Sequence, residues 1–213
     1  MNDHVIICGF GSTGRSAATE LINRGVDPAD IVVVDVDPDS IRHAGTLGFV
    51  AIDGDATRNA VLEQAAIDRA RAVVVAPNRD DTAVLITLTA RELNPDVHIV
   101  TGGRERENLH LLRQGGADQV IESTAAVGRM LGMATEAPEA VRVLDDLLAS
   151  GTGLELVSVE PVVDGDEVTM PPGCRLVSIT RDGKRLPPSE TRTEDLRAGD
   201  RLIVLRESVN GGA

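Results

Sequence analysis

Aromatic residues are almost absent from this sequence. Its 213 residues include no Trp, no Tyr and only two Phe, Phe10 and Phe49. A surface that binds single-stranded nucleic acid by stacking bases on aromatic rings is therefore excluded. The missing Tyr also excludes the Tyr-x-x-x-Lys pair that serves many dehydrogenases as a proton donor.

Positive charge is also scarce, since 21 Lys and Arg face 34 Asp and Glu and give a formal net charge of −13. Nucleic acid and anionic lipid both attract basic proteins, so this balance argues against either as a partner. No apolar run approaches the roughly 20 residues that span a bilayer, and no signal-peptide pattern is present. Cys8 and Cys174 alone form no disulfide framework, and we expect a cytoplasmic protein.

Signatures of hydrolytic and metal-dependent chemistry are missing as well. The sequence contains neither a Gly-x-Ser-x-Gly nucleophile motif nor a G-x-x-x-x-G-K-[ST] phosphate loop. Its four His residues do not have the spacing of metal ligands. We therefore predict no catalytic residue and no metal site, and we expect a protein that is not an enzyme.

A glycine-rich stretch follows the first apolar run. Residues 4–8 are apolar except for the first, and Gly9, Gly11 and Gly14 then form G-x-G-x-x-G ahead of a helix-like segment. The first glycine permits a tight turn, the second lets a pyrophosphate approach the backbone, and the third brings helix and strand together. The helix N-terminus would offer free N–H groups to the anion.

Asp35 supports a dinucleotide-binding interpretation of this loop. It follows a second apolar run, Ile31–Val34, about twenty residues beyond the glycines, where a Rossmann acid hydrogen-bonds a ribose hydroxyl. A carboxylate there favours a free 2′-hydroxyl and disfavours NADP. The alternative is a glycine-rich turn followed by a solvated acid.

Polar residues also follow the third and fourth strand-like segments. Asp55 and Thr57 follow the third, and Asn78 follows the fourth. Because carboxyl ends of parallel strands share one edge, these residues should meet the glycine loop. Thr57 has an alternative role as a helix N-cap, and Arg15 either contacts phosphate or is solvated. The predicted cofactor-binding residues are Gly9, Phe10, Gly11, Ser12, Thr13, Gly14, Arg15, Asp35, Val36, Asp55, Ala56, Thr57, Ala76 and Asn78.

Strand-like and helix-like segments alternate through the first two thirds of the chain. Short apolar strands that do not alternate with polar residues are typical of a parallel sheet covered on both faces. The predicted strands are Val5–Cys8, Ile31–Val34, Phe49–Ile52, Ala72–Ala76, His98–Thr101 and Gln119–Ile121. Six β-α units predict an α/β fold, a Rossmann-like doubly wound parallel sheet, over residues 1–136.

The pattern changes after residue 136. Residues 137–150 contain an amphipathic segment that predicts a connecting or dimerisation helix, and residues 151–208 contain alternating runs that predict a small β-rich subdomain. Arg181-Asp182-Gly183-Lys184 predicts a turn after the second of these runs. Residues 209–213 are predicted to be a disordered tail.

Several segments together resemble the RCK (regulator of conductance of potassium) family, of TrkA-N/TrkA-C type. This family serves prokaryotic potassium channels and Trk/Ktr transporters. The matching segments are residues 5–14, Asp35, 54–57, 105–109, 116–121, 128–129, 177–183 and 198–204. The resemblance covers nearly the whole chain, although the part between Val159 and Arg175 is shorter than usual.

The resemblance implies a cytosolic regulatory module that binds a nucleotide and opens or closes a potassium pore. It also implies homodimers, joined through the helices after the sixth strand, which assemble into a ring of eight. The chain would then lie at the inner face of the cell membrane, either as a separate subunit or as the soluble part of a channel. NAD or NADH and ATP or ADP all remain candidate ligands.

Two other functions compete with this one. A small NAD-dependent oxidoreductase needs a substrate domain and a proton donor, and the last sixty residues are poor in His, Lys and Tyr. A redox sensor of the Rex type would bind DNA, which the acidic charge and the missing helix-turn-helix oppose.

Overall fold

A six-stranded parallel sheet forms the framework of the N-terminal half. The computed structural model describes residues 2–148, 153–165, 167–187 and 190–207. The strands are β1 (His4–Cys8), β2 (Ile31–Asp35), β3 (Val50–Asp53), β4 (Ala70–Val75), β5 (His98–Gly103) and β6 (Gln119–Glu122). Their order in the sheet is β3-β2-β1-β4-β5-β6, so the strand order reverses between β1 and β4. In such sheets the ligand crevice lies where the order reverses.

Helices follow every strand of this sheet. They are α1 (Ser12–Asn23), α2 (Pro38–Thr46), α3 (Asn59–Gln64), α4 (Asp80–Leu93), α5 (Leu109–Gln114) and α6 (Ser123–Glu136). Short 3₁₀ turns occupy Pro28–Asp30, Ile67–Arg69 and Arg106–Asn108. The chain divides into two compact units, Met1–Gly132 and Met133–Ala213, and α6 runs across the division.

Alternate residues of the strands fill two core layers. On one face of the sheet, Ile6 and Val32 pack with Leu62 of α3 and Ile86 of α4. On the other face, Val5, Ile7 and Val33 pack with Ala18 of α1 and Ala44 of α2. Burial on both faces explains why the central strands β1 and β2 are almost continuously apolar.

The C-terminal unit is built on an antiparallel sheet. It begins with α7 (Pro138–Leu148) and continues with β7 (Leu154–Val159), β8 (Val162–Asp164), β9 (Glu167–Thr169), β10 (Arg175–Arg181), β11 (Lys184–Arg185) and β12 (Arg201–Glu207). Four strands pair in the order β11-β10-β12-β7, and β8 pairs with β9 as a separate hairpin. Ile179, Leu202 and Val204 form the centre of a small core.

The structure confirms the predicted fold class. All six predicted strands are present within two residues of their predicted ends, and Asp182 and Gly183 form the predicted turn with φ of +51° and +73°. The β8–β9 hairpin was not predicted, because its strands are three residues each and carry no clear alternation. The predicted tail, 209–213, and the end of the connecting segment, 149–150, lie outside the described residues.

No helix in the described part of the chain is long and apolar enough to cross a membrane.

A buried ion pair joins β10 to the loop before β12. Arg181 donates from Nε and Nη2 to the two carboxylate oxygens of Asp200, both at 2.8 Å. The Asp200 side chain is 1% exposed, and its Oδ2 also accepts from the Arg197 N–H at 2.9 Å. The hydrogen bonds from Arg181 lower the pKa of Asp200 below its usual value.

We predict that Asp200→Asn destabilises the C-terminal unit by about 1–3 kcal/mol, because it weakens the charge-assisted hydrogen bonds that Arg181 donates to this buried carboxylate. Hydrogen exchange should report faster opening of β10 and β12 in the variant. Asp39→Asn, which removes an exposed ion pair with Arg42, is the control and should change exchange little. Because the pKa of Asp200 is lower in the folded state, this stabilisation is present above pH about 4 and is lost as the pH falls through the folded pKa. Equal exchange in wild type and Asp200→Asn would contradict the assignment.

Candidate functional site

A crevice of about 240 Å³ opens at the carboxyl ends of the strands, at the point where the strand order reverses. It is lined by residues from the ends of β1, β2, β3 and β4 and from the start of α4. These residues are Gly9, Gly11, Val34, Asp35, Val36, Gly54, Asp55, Ala56, Ala76, Pro77, Asn78, Arg79, Thr82 and Ile86. The sheet thus brings together four loops that are distant in sequence.

Two glycines of the loop after β1 have no room for a side chain. Gly9 has φ of +92°, and a Cβ there would lie 2.6 Å from the carbonyl oxygen of Ala76. A Cβ on Gly14 would lie 2.0 Å from the carbonyl oxygen of Gly9. These contacts pack α1 tightly onto the end of β1, as the motif predicts.

Gly11 differs from the other two glycines because it faces open space. The nearest atom to a Cβ at Gly11 would be Asn78 Oδ1, at an ordinary contact distance of 3.7 Å. Gly11 is also the N-cap of α1, and no side chain caps this helix end. Backbone N–H groups of the first helical turn therefore remain available to an anion in the crevice.

Asp35 connects the glycine loop to the end of β2. Its Oδ2 accepts a hydrogen bond from the Phe10 N–H, and its Oδ1 accepts from the Asp37 N–H at 2.9 Å. The Phe10 ring is buried in the core, where it packs edge-on against Phe49 with 5.8 Å between the ring centroids. Phe10 therefore contributes to the loop through its backbone, while Asp35 remains on the crevice wall.

Asp55 closes the crevice on the side of β3. Its Oδ1 accepts from both the N–H and the hydroxyl of Thr57, at 3.0 and 2.8 Å, and these bonds lower the pKa of Asp55. Asp55 is thus ionised at neutral pH and suited to accept from a ribose hydroxyl. The alternative role of Thr57 as N-cap of α3 is wrong, because Arg58 occupies that position.

Asp80 organises the loop after β5. Its carboxylate is almost buried and accepts from the N–H groups of Arg104 and Glu105 and from the Asn108 side chain, at 2.9–3.0 Å. Burial alone would raise the pKa of Asp80, but these three hydrogen bonds lower it. A shallower depression beside the crevice is lined by Asn78, Arg79, Asp80, Asp81, Arg104, Glu105 and Asn108.

Eight of the fourteen predicted site residues line the crevice, namely Gly9, Gly11, Asp35, Val36, Asp55, Ala56, Ala76 and Asn78. The other six do not line it, namely Phe10, Ser12, Thr13, Gly14, Arg15 and Thr57. Arg15 is exposed, and its Nε donates to the Gly11 carbonyl at 3.3 Å. Binding by any of the fourteen stays a prediction.

Sequence reasoning missed several lining residues. Gly54 and Pro77 directly follow strands whose ends were already singled out, so their position was the available signal. Thr82 and Ile86 lie four residues apart at the start of α4 and so share one helix face. Arg79 follows β4 in the same segment as Pro77, so its position was again the available signal. Among the described residues, no group of three or more His, Cys, Asp and Glu is placed to hold a metal ion.

Known proteins are similar to this chain in fold and sequence. Potassium channel protein 1 of Methanocaldococcus jannaschii is 28% identical over 158 residues, which cover 73% of this chain and 46% of that protein. The structure of the GsuK channel bound to NAD has a TM-score of 0.54 and 26% identity, and the match covers 99% of this chain and 37% of that one. The structure of GsuK bound to ADP has a TM-score of 0.57 and 27% identity, and the match covers 64% of this chain and 35% of that one.

This chain therefore spans less than half the length of each of these relatives. The sequence profile of the TrkA-N domain matches residues 5–123, which include the glycine loop, Asp35, Asp55 and all six strands of the parallel sheet except the first residue of β1. The match takes in more than half of the chain and agrees with the resemblance drawn from the motifs. The chain belongs to the TrkA-N domain family.

Proposed function

We propose that this chain is a regulatory module of potassium transport that binds an adenine nucleotide in the crevice and controls an associated channel or transporter. The observation that carries the proposal is the crevice itself. Three features meet at one strand edge: the N-terminus of α1, which no side chain caps, the open space at Gly11, and the carboxylates of Asp35 and Asp55 on the crevice wall. Each group matches one part of a nucleotide with a free 2′-hydroxyl.

The relatives support the class of ligand and the physiological role. GsuK is a channel whose structures hold NAD in one case and ADP in another. Both ligands carry an adenosine diphosphate, which is the part that the Gly11–Asp35 side of the crevice suits. The relative from M. jannaschii is a potassium channel protein. We propose for this chain a cytoplasmic position at the inner face of the membrane, beside a pore-forming partner.

We also propose that the chain is not an enzyme. The described residues on the crevice wall include no His, Cys, Lys or Tyr. A hydride transfer to or from a hydroxyl carbon needs a group that exchanges a proton with the substrate. Asp35 and Asp55 are the carboxylates present, and both accept backbone hydrogen bonds within their own loops. Oxidation or reduction of bound NAD by a substrate would support the oxidoreductase alternative instead.

Assembly into homodimers, and from them into a ring of eight, belongs to the same proposal. Neither α6 nor α7 has a buried residue within the described chain. Val127 and Leu131, four residues apart on α6, are 57% and 67% exposed, and Val143 on α7 is 51% exposed. Apolar side chains left open in this way favour a contact surface, and a two-fold axis would bury the same residues on both copies.

We predict that an adenine nucleotide raises the melting temperature of the wild-type protein. At about 100 times the dissociation constant, the ligand should stabilise the folded chain by roughly 2.7 kcal/mol. Gly11→Val should abolish this shift while leaving the ligand-free melting temperature nearly unchanged, because the new side chain projects into the space that a pyrophosphate would occupy. Gly45→Val is the matched control, since a Cβ at Gly45 meets nothing within 4 Å and lies outside the crevice. No shift with millimolar ADP, ATP, NAD⁺ or NADH would refute nucleotide binding.

We predict that Leu131→Glu weakens self-association at least about tenfold, because it places a charge in an apolar contact surface. Light scattering at micromolar concentration should report dimers or larger species for wild type and a shift toward monomer for the variant. Leu47→Glu changes an exposed leucine at the end of α2 and should leave the association state unchanged. A monomeric wild type would rule out the proposed assembly.

We predict that nucleotides alter potassium flux through the channel or transporter to which this chain belongs. A ligand shifts a two-state assembly only by its difference in affinity for the two states, and a typical coupling changes the equilibrium by about 5–150-fold. Flux into vesicles that hold the complete complex should therefore differ between ADP and ATP, or between NAD⁺ and NADH. The same flux with and without every nucleotide that binds would leave a binding module without a regulatory role.

A further inference from the structure

The crevice wall has an unfavourable charge for the ligand proposed above. Among the described residues that line it, Asp35 and Asp55 carry negative charge and Arg79 alone carries positive charge. Like charges repel more strongly where water is partly excluded, so two carboxylates oppose the entry of a phosphate group. Arg79 is the side chain on the wall that can compensate them.

Arg79 lies close to the side of the crevice where phosphates would bind. The preceding residue, Asn78, has its Oδ1 3.7 Å from the position of a Cβ on Gly11. The end of β4 therefore adjoins the glycine loop and the N-terminus of α1. Arg79 itself has extended backbone angles and is the N-cap of α4. Its side chain is 75% exposed, which leaves it room to change direction.

The Arg79 guanidinium binds Asp81. Nε donates to Oδ1 at 3.0 Å, and Nη2 donates to Oδ2 at 2.5 Å. These hydrogen bonds hold the pKa of Asp81 at about 2, so Asp81 is ionised throughout the physiological range. Both partners are mostly exposed, and an exposed ion pair between an arginine and a carboxylate contributes little to stability. A phosphate group carries more negative charge and more acceptor oxygens than the Asp81 carboxylate, and the planar guanidinium of Arg79 can bind either group.

We propose that Arg79 is the residue that recognises the phosphates of the ligand, and that Asp81 holds it aside until a phosphate takes its place. This inference rests on the proposed nucleotide site and adds its phosphate-specificity residue. It assigns phosphate recognition to Arg79 and not to Arg15, the arginine that directly follows the glycine motif. Arg15 does not line the crevice, and its Nε is directed to the Gly11 carbonyl.

If Arg79 exchanges Asp81 for a ligand phosphate, it distinguishes ligands that carry phosphates from ligands that do not. A ligand with phosphates gains the Arg79 contact, and its cost is the loss of the Arg79–Asp81 ion pair. A ligand without phosphates leaves that pair intact and gains nothing from Arg79. Arg79 therefore affects binding of ADP, ATP and NAD⁺ and leaves binding of adenosine unaffected.

The experiment measures the affinity of the full chain for adenosine, AMP, ADP and NAD⁺ by isothermal titration calorimetry. Arg79→Gln should weaken ADP and NAD⁺ by about tenfold or more, the usual loss for a hydrogen bond to a charged group, and change adenosine less than twofold. Arg42→Gln is the matched control, because Arg42 is an exposed arginine in an ion pair outside the crevice, and it should change all four ligands less than threefold. The melting curves of both variants without ligand should match the wild-type curve, because both side chains are exposed.

Asp81→Asn tests the resting position of Arg79 separately. It removes the competing carboxylate and should tighten binding of ADP and NAD⁺, by up to about fivefold, while leaving adenosine unchanged. Asp53→Asn is the control for a general change of charge. Asp53 is the exposed last residue of β3 and does not line the crevice. In the Arg79→Gln background, Asp81→Asn should have no further effect on ADP.

Three results would overturn the inference. The first is that wild type binds ADP and Arg79→Gln binds it equally well. The second is that Arg79→Gln weakens adenosine as much as ADP, which would make Arg79 a residue that only shapes the crevice. The third is that Asp81→Asn has the same effect in the presence and absence of Arg79. If wild type binds none of the four ligands, the proposed nucleotide site fails as well, and the two failures are thereby distinguished.

Discussion

The close approach of α1 to β1 determines the geometry of the crevice. The space for a Cβ on Gly14 is already filled by the carbonyl oxygen of Gly9, which would lie 2.0 Å away. Because the helix and the strand meet at this distance, the N-terminus of α1 opens directly at the strand edge. The Phe10 N–H then reaches Asp35, and β2 is joined to the same loop. A larger residue at Gly14 would push the N-terminus of α1 away from the strand edge, and one at Gly9 would collide with the end of β4 at Ala76.

The proposed ligand is an anion, whereas the chain has a net charge of −13. The arrangement at the strand edge reconciles these facts. Backbone N–H groups attract an anion without adding a side-chain charge, and they cannot be titrated at physiological pH. The carboxylates of Asp35 and Asp55 lie where hydroxyl groups would bind, and Arg79 supplies a local positive charge. The local arrangement of dipoles and charges therefore matters more here than the net charge of the molecule.

The sheet and the glycine loop could be predicted from the sequence because their signals are local. Continuous apolar strands, the spacing of Gly9, Gly11 and Gly14, and the position of Asp35 are each visible within a few dozen residues. The contacts of Asp80 could not be predicted in this way, since the Arg104 and Glu105 N–H groups that it accepts from lie 24 and 25 residues further along the chain. α4 begins at Asp80, but the carboxylate binds the neighbouring loop. Arg79 was not predicted to line the crevice, because its place after β4 does not by itself show which way an exposed arginine faces.

The exposure of Val36 has a consequence for spectroscopy. Its side chain is 67% exposed and lies on the crevice wall, immediately after Asp35. The chain contains no Trp or Tyr, and both Phe side chains are buried in the core. A tryptophan introduced at this position would be the only residue to fluoresce on excitation near the red edge of protein absorption. Its emission would report the polarity of one wall of the crevice, free of any background from the rest of the molecule.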